Sequence, residues 1–165
     1  MTRLLALAVL ALPSAASAGD TTAAPDLRAG FEKLRWTDGK ADVRRKYRRA
    51  EPQSEGGLRN VDMLSVRGFL AVGGGMALDA SIYFEGSTDK SRVDRIVLRP
   101  VPSDFNMTDE RLAAAWVFIA NRLQLGELPP KDAKGLPRGG ATVDVLRNPG
   151  DFGVVIHRPS GGAAR

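Results

Sequence analysis

His157 is the one histidine of the chain, and there is no cysteine. Nucleophilic catalysis by a Ser-His-Asp arrangement would have to run through it. No Gly-x-Ser-x-Gly elbow exists to present the serine. His157 also has the outward parity of its segment, opposite to Val154 and Ile156. It therefore reads as a surface histidine on a strand. One imidazole and no thiolate leave a transition metal only carboxylates, which supply such a site poorly. The acidic groups Asp104/Asp109/Glu110 and Asp89/Asp94 lack the loop spacing of a calcium site. Asp109 and Glu110 are explained by a helix start, where negative charge is favoured. Glycoside cleavage needs two acids about 5–10 Å apart. Asp79 and Glu85 share a strand face but lie roughly 20 Å apart by strand rise. Gly73-Gly74-Gly75 is followed by a strand pattern, not by the helix start that a phosphate cradle needs, so it reads as a wide hairpin turn. No catalytic residue, metal site or cofactor is expected from these patterns.

Binding is better supplied. Five of the six positions 44–49 are basic. On a helix, Lys40, Arg44 and Arg48 form one i, i+4 row, with Arg45 and Arg49 beside it. Such a face concentrates positive potential and suits an anionic partner. No aromatic residues interleave for base stacking, which argues against nucleic acid. The expected partners are anionic lipid headgroups, lipopolysaccharide or an acidic protein surface.

Several elements must position these side chains. Residues 76–85, MALDASIYFE, alternate apolar and polar positions, as a strand with one buried face does. A one-residue slip would put Asp79 and Glu85 in the core. Residues 58–72 read as a longer, bent strand before it and residues 92–99 as a strand after it, giving an antiparallel meander. Upstream, Leu27, Phe31 and Leu34 have helical spacing from a capping Asp26. Thr37 or Asp38 can cap a second helix running to about Arg49. Residues 51–57 and 100–107 read as loops and the Gly/Pro-rich residues 126–140 as an exposed connection. Thr108 caps a helix whose stripe is Leu112, Ala115, Trp116, Ile119 and Leu123. Residues 113–120 contain nothing polar, so cover is expected on a second side. Residues 141–147 and 152–158 read as a closing hairpin around Asn148-Pro149-Gly150-Asp151, a type II turn by composition.

The first 18 residues are read apart from the fold. Arg3 gives a positive start, residues 4–12 are apolar, and Ala16-Ser17-Ala18 is a small-x-small cleavage site. This is the pattern of a secretory signal peptide cut after Ala18. The apolar run is too short to span a bilayer, which takes about 20 residues. The expected location is periplasmic or secreted, with no transmembrane segment. Export without cysteine leaves the fold to rest on its apolar core. The expected organisation is a signal peptide over 1–18, a mobile linker over 19–25, one α+β domain over 26–158 and a frayed tail over 159–165.

The order helix, helix, three-stranded meander over residues 26–99 resembles small outer-membrane assembly lipoprotein domains of the SmpA/OmlA type. Thr37-Asp38-Gly39-Lys40-Ala41-Asp42-Val43 carries the resemblance, as a capped short helix with an acid-Val pair near its first turn. The resemblance implies an accessory, non-catalytic role at the cell envelope. The chain departs from that family in lacking the lipid-anchoring cysteine and in adding a helix and a hairpin after the meander.

The expected architecture is α+β, an antiparallel sheet of about five strands with helices packed on one face. The expected function is binding or scaffolding outside the cytoplasm through Lys40, Arg44, Arg45, Arg48 and Arg49. The alternatives are a small exported hydrolase using surface carboxylates or His157, and an inhibitor-like module acting on another exported protein.

Overall fold

The computed structural model describes residues 25–55, 58–101 and 108–160. The expected leader, most of the linker, part of the 100–107 loop and the end of the tail lie outside the described residues. In chain order the elements are β1 (Gly30–Phe31), β2 (Leu34–Arg35), α1 (Lys40–Lys46), β3 (Ala50–Glu55), β4 (Leu58–Gly73), β5 (Met76–Phe84), β6 (Val93–Val101), α2 (Asp109–Leu123), β7 (Ala133–Arg138), β8 (Ala141–Asn148) and β9 (Asp151–His157). β1 and β2 form a small ribbon. The other strands form one sheet in the order β3-β4-β5-β6-β9-β8-β7, with every pair antiparallel.

Seven strands replace the expected five, and the chain is mostly β, so α+β holds only as a coarse description. The two additional strands are the sheet's edges. Residues 50–55, nearly all of them within the stretch 51–57 read as a loop, pair with β4. Residues 133–138, read as part of an exposed connection, pair with β8. Both edge strands carry a proline, Pro52 and Pro137, which an edge tolerates because one side of its backbone needs no ladder partner. At Gly135 the register of β7 shifts and the Asp144 carboxylate accepts the glycine N–H at 2.8 Å.

β5 sits inside the sheet. Met76, Leu78, Ala80, Ile82 and Phe84 are buried, and the alternate residues are half-buried. Facing them in register are Leu64 and Val66 on β4, Ile96 and Leu98 on β6, and beyond these Val154 and Ile156 on β9. Burying each large side chain contributes about 1.5–3 kcal/mol. β4 is bent at Gly68, whose φ of +63° accompanies a break in register between Val66 and Leu70. Gly73-Gly74-Gly75 makes a tight turn, not a wide one. Gly73 pairs with Met76, and Gly74 and Gly75 have φ of +59° and +77°, the conformation of a two-residue hairpin.

α2 presents Leu112, Ala115, Trp116, Ile119 and Leu123 to the core. Trp116 meets Phe152 of β9 edge-on, with ring centres 5.3 Å apart. Its N-cap is Thr108, whose hydroxyl accepts the Arg111 N–H. Leu27, Phe31, Leu34, Trp36 and Val43 belong to the same apolar cluster.

The expected first helix is absent. Residues 30–35 turn back as the β1–β2 ribbon, with Glu32 at φ +55°. At Gly30 a Cβ would lie 2.0 Å from the Leu34 carbonyl oxygen, so the ribbon closes only over glycine. The second helix is shorter than expected and is not capped by Thr37 or Asp38. Its N-cap is Gly39, whose N–H donates to Asp42 at 3.1 Å. It stops at Lys46 because Tyr47 is extended. Asp38 is used otherwise, accepting from the Arg35 N–H and from the Lys46 ammonium. The resemblance to helix–helix–meander lipoprotein domains thus meets a ribbon at its first element. Among the described residues, no helix is long and apolar enough to cross a membrane.

Candidate functional site: a basic corner and a neighbouring cleft

The five expected binding residues divide. Lys40 is withdrawn from the surface, only 4% exposed. Its ammonium donates to the Ser87 carbonyl at 2.7 Å and lies 5.5 Å from the centre of the Phe84 ring. It fastens the 85–92 turn to the start of α1, beside Gly39, where a Cβ would come within 2.6 Å of the Asp89 carbonyl. This corrects the expectation that Lys40 contacts a partner: its long apolar stem lets it cross the core edge and place its charge on a carbonyl.

Arg44, Arg45, Arg48 and Arg49 are exposed. They do not form two helical rows, because α1 ends before Arg48. Arg44 and Arg45 lie in the last turn of the helix, and Arg48 and Arg49 in the turn leading to β3. Arg45 is paired with Asp42, and Lys46 with Asp38 at 2.6 Å. Among the described residues, Arg44, Arg48 and Arg49 have no carboxylate partner. Three exposed guanidinium groups without a carboxylate therefore lie along the last turn of α1 and the turn after it, next to the negative end of a short helix.

The corner connects to the ribbon through aromatic contacts. Tyr47 lies 5.1 Å from Phe69, and Phe69 lies 6.2 Å from Phe31 of β1. Burial pushes the Tyr47 phenol up to about 12, against a weaker downward pull from its hydrogen bond with the Lys33 backbone. On the ribbon's other side, Arg122 of α2 donates Nε to Glu32 Oε1 at 2.7 Å and lies over the Phe118 ring at 5.4 Å. Between ribbon and α2 opens a cleft of about 520 Å³ with Leu27, Phe31 and Phe118 among its walls. Sequence reading missed it because it treated the ribbon as a helix.

His157 is not isolated. Its Nε2 lies 2.8 Å from Asp144 Oδ2 on the neighbouring strand. Burial raises the Asp144 carboxyl, but the Gly135 N–H and His157 together outweigh it and leave it below its ordinary value. The signal was present in the outward parity of Thr142 and Asp144, since Thr142 is directly opposite His157 and Asp144 is its diagonal neighbour. No hydroxyl completes a triad by hydrogen-bonding this imidazole among the described residues. The dyad lies on the sheet's outer face beside Arg95, whose guanidinium covers Tyr83 at 4.4 Å. Asp79 and Glu85 have separate structural partners, the Gly68 N–H and Arg158. Burial raises the Asp79 carboxyl, more than the Gly68 N–H and Arg67 lower it. No group of three or more His, Asp or Glu side chains suited to a metal ion exists among the described residues.

The chain matches no model of a protein family, no curated protein and no solved structure.

Proposed function

We propose that this chain is an exported, non-catalytic binding protein of the cell envelope, released by cleavage near Ala18, that contacts an anionic partner through Arg44, Arg48 and Arg49, with Arg45 of the expected set held by Asp42. In this reading the helices and ribbon cover one face of the sheet and hold the basic corner outward. The observation that carries it is the sorting of charge along residues 40–49. Lys40, Lys46 and Arg45 are spent on Ser87, Asp38 and Asp42, while Arg44, Arg48 and Arg49 are left exposed. Keeping several unpaired cations together is electrostatically unfavourable for the isolated chain and favourable against a negative surface.

Anionic lipid headgroups, including those of lipopolysaccharide, are the partner class favoured here. Each basic side chain near such a surface contributes about 1 kcal/mol. An accessory envelope role is also what the resemblance to SmpA/OmlA-type domains implies. Co-flotation with anionic and with neutral vesicles tests the proposal. The parent chain binds the anionic vesicles only, and replacing Arg44, Arg48 and Arg49 by glutamine abolishes binding. Equal binding by the substituted chain overturns it.

A further inference from the structure

We propose that the cleft between the β1–β2 ribbon and α2 binds a short peptide with free termini and an apolar side chain. Its volume, about 520 Å³, lies within the range of small-ligand pockets. Leu27 and Phe31 line it from the ribbon side as buried residues, and half-buried Phe118 lines it from the helix. Phe118 supplies most of the accessible aromatic surface for one side chain, backed by the nearly covered Leu27 and Phe31.

The rim carries four charges, and they sort into two kinds. Glu32 and Arg122 neutralise each other at 2.7 Å. Asp26 and Arg35 do not have such partners among the described residues. Asp26 Oδ1 accepts only the Arg28 backbone N–H, at 3.0 Å. The Arg35 side chain donates Nη1 to the Glu32 carbonyl, at 3.4 Å, which leaves the rest of its fork unused. The cleft therefore keeps one carboxylate and one guanidinium unspent, with the Asn121 amide also in its lining.

That pair selects among ligand chemistries. A fatty-acid anion satisfies Arg35 but brings a second negative charge toward Asp26. A cationic amphiphile does the reverse. A free peptide satisfies both, with its ammonium on Asp26 and its carboxylate on the planar fork of Arg35. The amide of Asn121 can donate to and accept from the intervening peptide unit. The binding site is independent of the basic corner, so either can fail without the other.

Calorimetric titration of the full chain with the dipeptide Leu-Phe tests this. The free dipeptide binds, and N-acetylation or C-amidation weakens it tenfold or more. Asp26→Asn weakens the free dipeptide at least tenfold and leaves the acetylated form unchanged. Arg35→Gln does the same with respect to the amidated form. Asn121→Trp, at an exposed helix position, fills the cleft and abolishes binding without loss of the folding transition. Replacing Arg44, Arg45, Arg48 and Arg49 leaves peptide affinity unchanged. The proposal is overturned if Leu-Phe does not bind at millimolar concentration, if the blocked forms bind as well as the free one, or if decanoate binds in its place.

Discussion

Arg122 Nε and Glu32 Oε1 lie 2.7 Å apart across 90 residues of sequence, joining the outer side of α2 to the turn of the β1–β2 ribbon. Both residues line the cleft, and their pairing fixes which of its charges are spent. Both side chains keep substantial access to water, so the pair itself contributes about 0.2–1 kcal/mol. A double-mutant cycle with Glu32→Gln and Arg122→Gln is expected to give a coupling in that range in denaturant unfolding. High salt should shrink it, as it does for exposed pairs. A coupling of several kcal/mol would mean that the ribbon is held mainly by this bridge and not by Phe31 and Leu34.

The parity of β5 gives a sharper contrast in stability. Ile82 is fully buried, whereas Ser81 is on the half-buried outer side. Ile82→Ala is expected to cost about 2–5 kcal/mol, and Ser81→Ala to stay within about 0.5 kcal/mol. Equilibrium urea unfolding checks both. Similar costs for the two would contradict the assigned register.

Tyr47 makes stability depend on alkaline pH. Its phenol titrates at about 12 in the fold and at 10.0 when unperturbed, with burial the main cause. Between those values the unfolded chain has released a proton that the folded chain retains. Its contribution is therefore complete below pH 10 and is lost as pH rises toward 12. Because Tyr47 is only half-buried, the loss is about 1 kcal/mol once solvent screening is allowed for. The unfolding free energy of the parent minus that of Tyr47→Phe, followed from pH 9 to pH 12 (a range chosen to bracket the shift), should fall by that amount. A constant difference would show that the phenol does not titrate with folding.

The elements legible in the sequence were those whose periodicity agrees with their burial. β5 alternates along its whole length, α2 carries a five-residue stripe, and the β8–β9 hairpin turns at Pro149-Gly150 with Gly150 at φ +70°. The ribbon was illegible for a physical reason. Leu27, Phe31 and Leu34 are all buried, as helical spacing implied, but two positive φ values at Gly30 and Glu32 fold the segment back on itself. The edge strands were illegible because prolines and glycines normally break strands, and only the edge position makes them acceptable.

The candidate site was half legible. The concentration of arginine is visible in the sequence, but which cations are neutralised is not. Lys40 shares the helix with Arg44, yet one reaches the Ser87 carbonyl and the Phe84 ring while the other remains at the surface. That difference depends on the 85–92 turn coming back over α1, a contact between residues 47 apart.

The measurement that tests the central claim most directly is the affinity for vesicles containing anionic lipid, compared between two charge-matched variants. One carries Arg44→Gln, Arg48→Gln and Arg49→Gln. The other carries Arg111→Gln, Lys131→Gln and Lys134→Gln, three exposed cations elsewhere on the surface. Losing three headgroup contacts at the corner should weaken binding about a hundredfold, and the control set should barely change it. Equal losses in the two variants would show that net charge alone drives association, and the basic corner would not be a site.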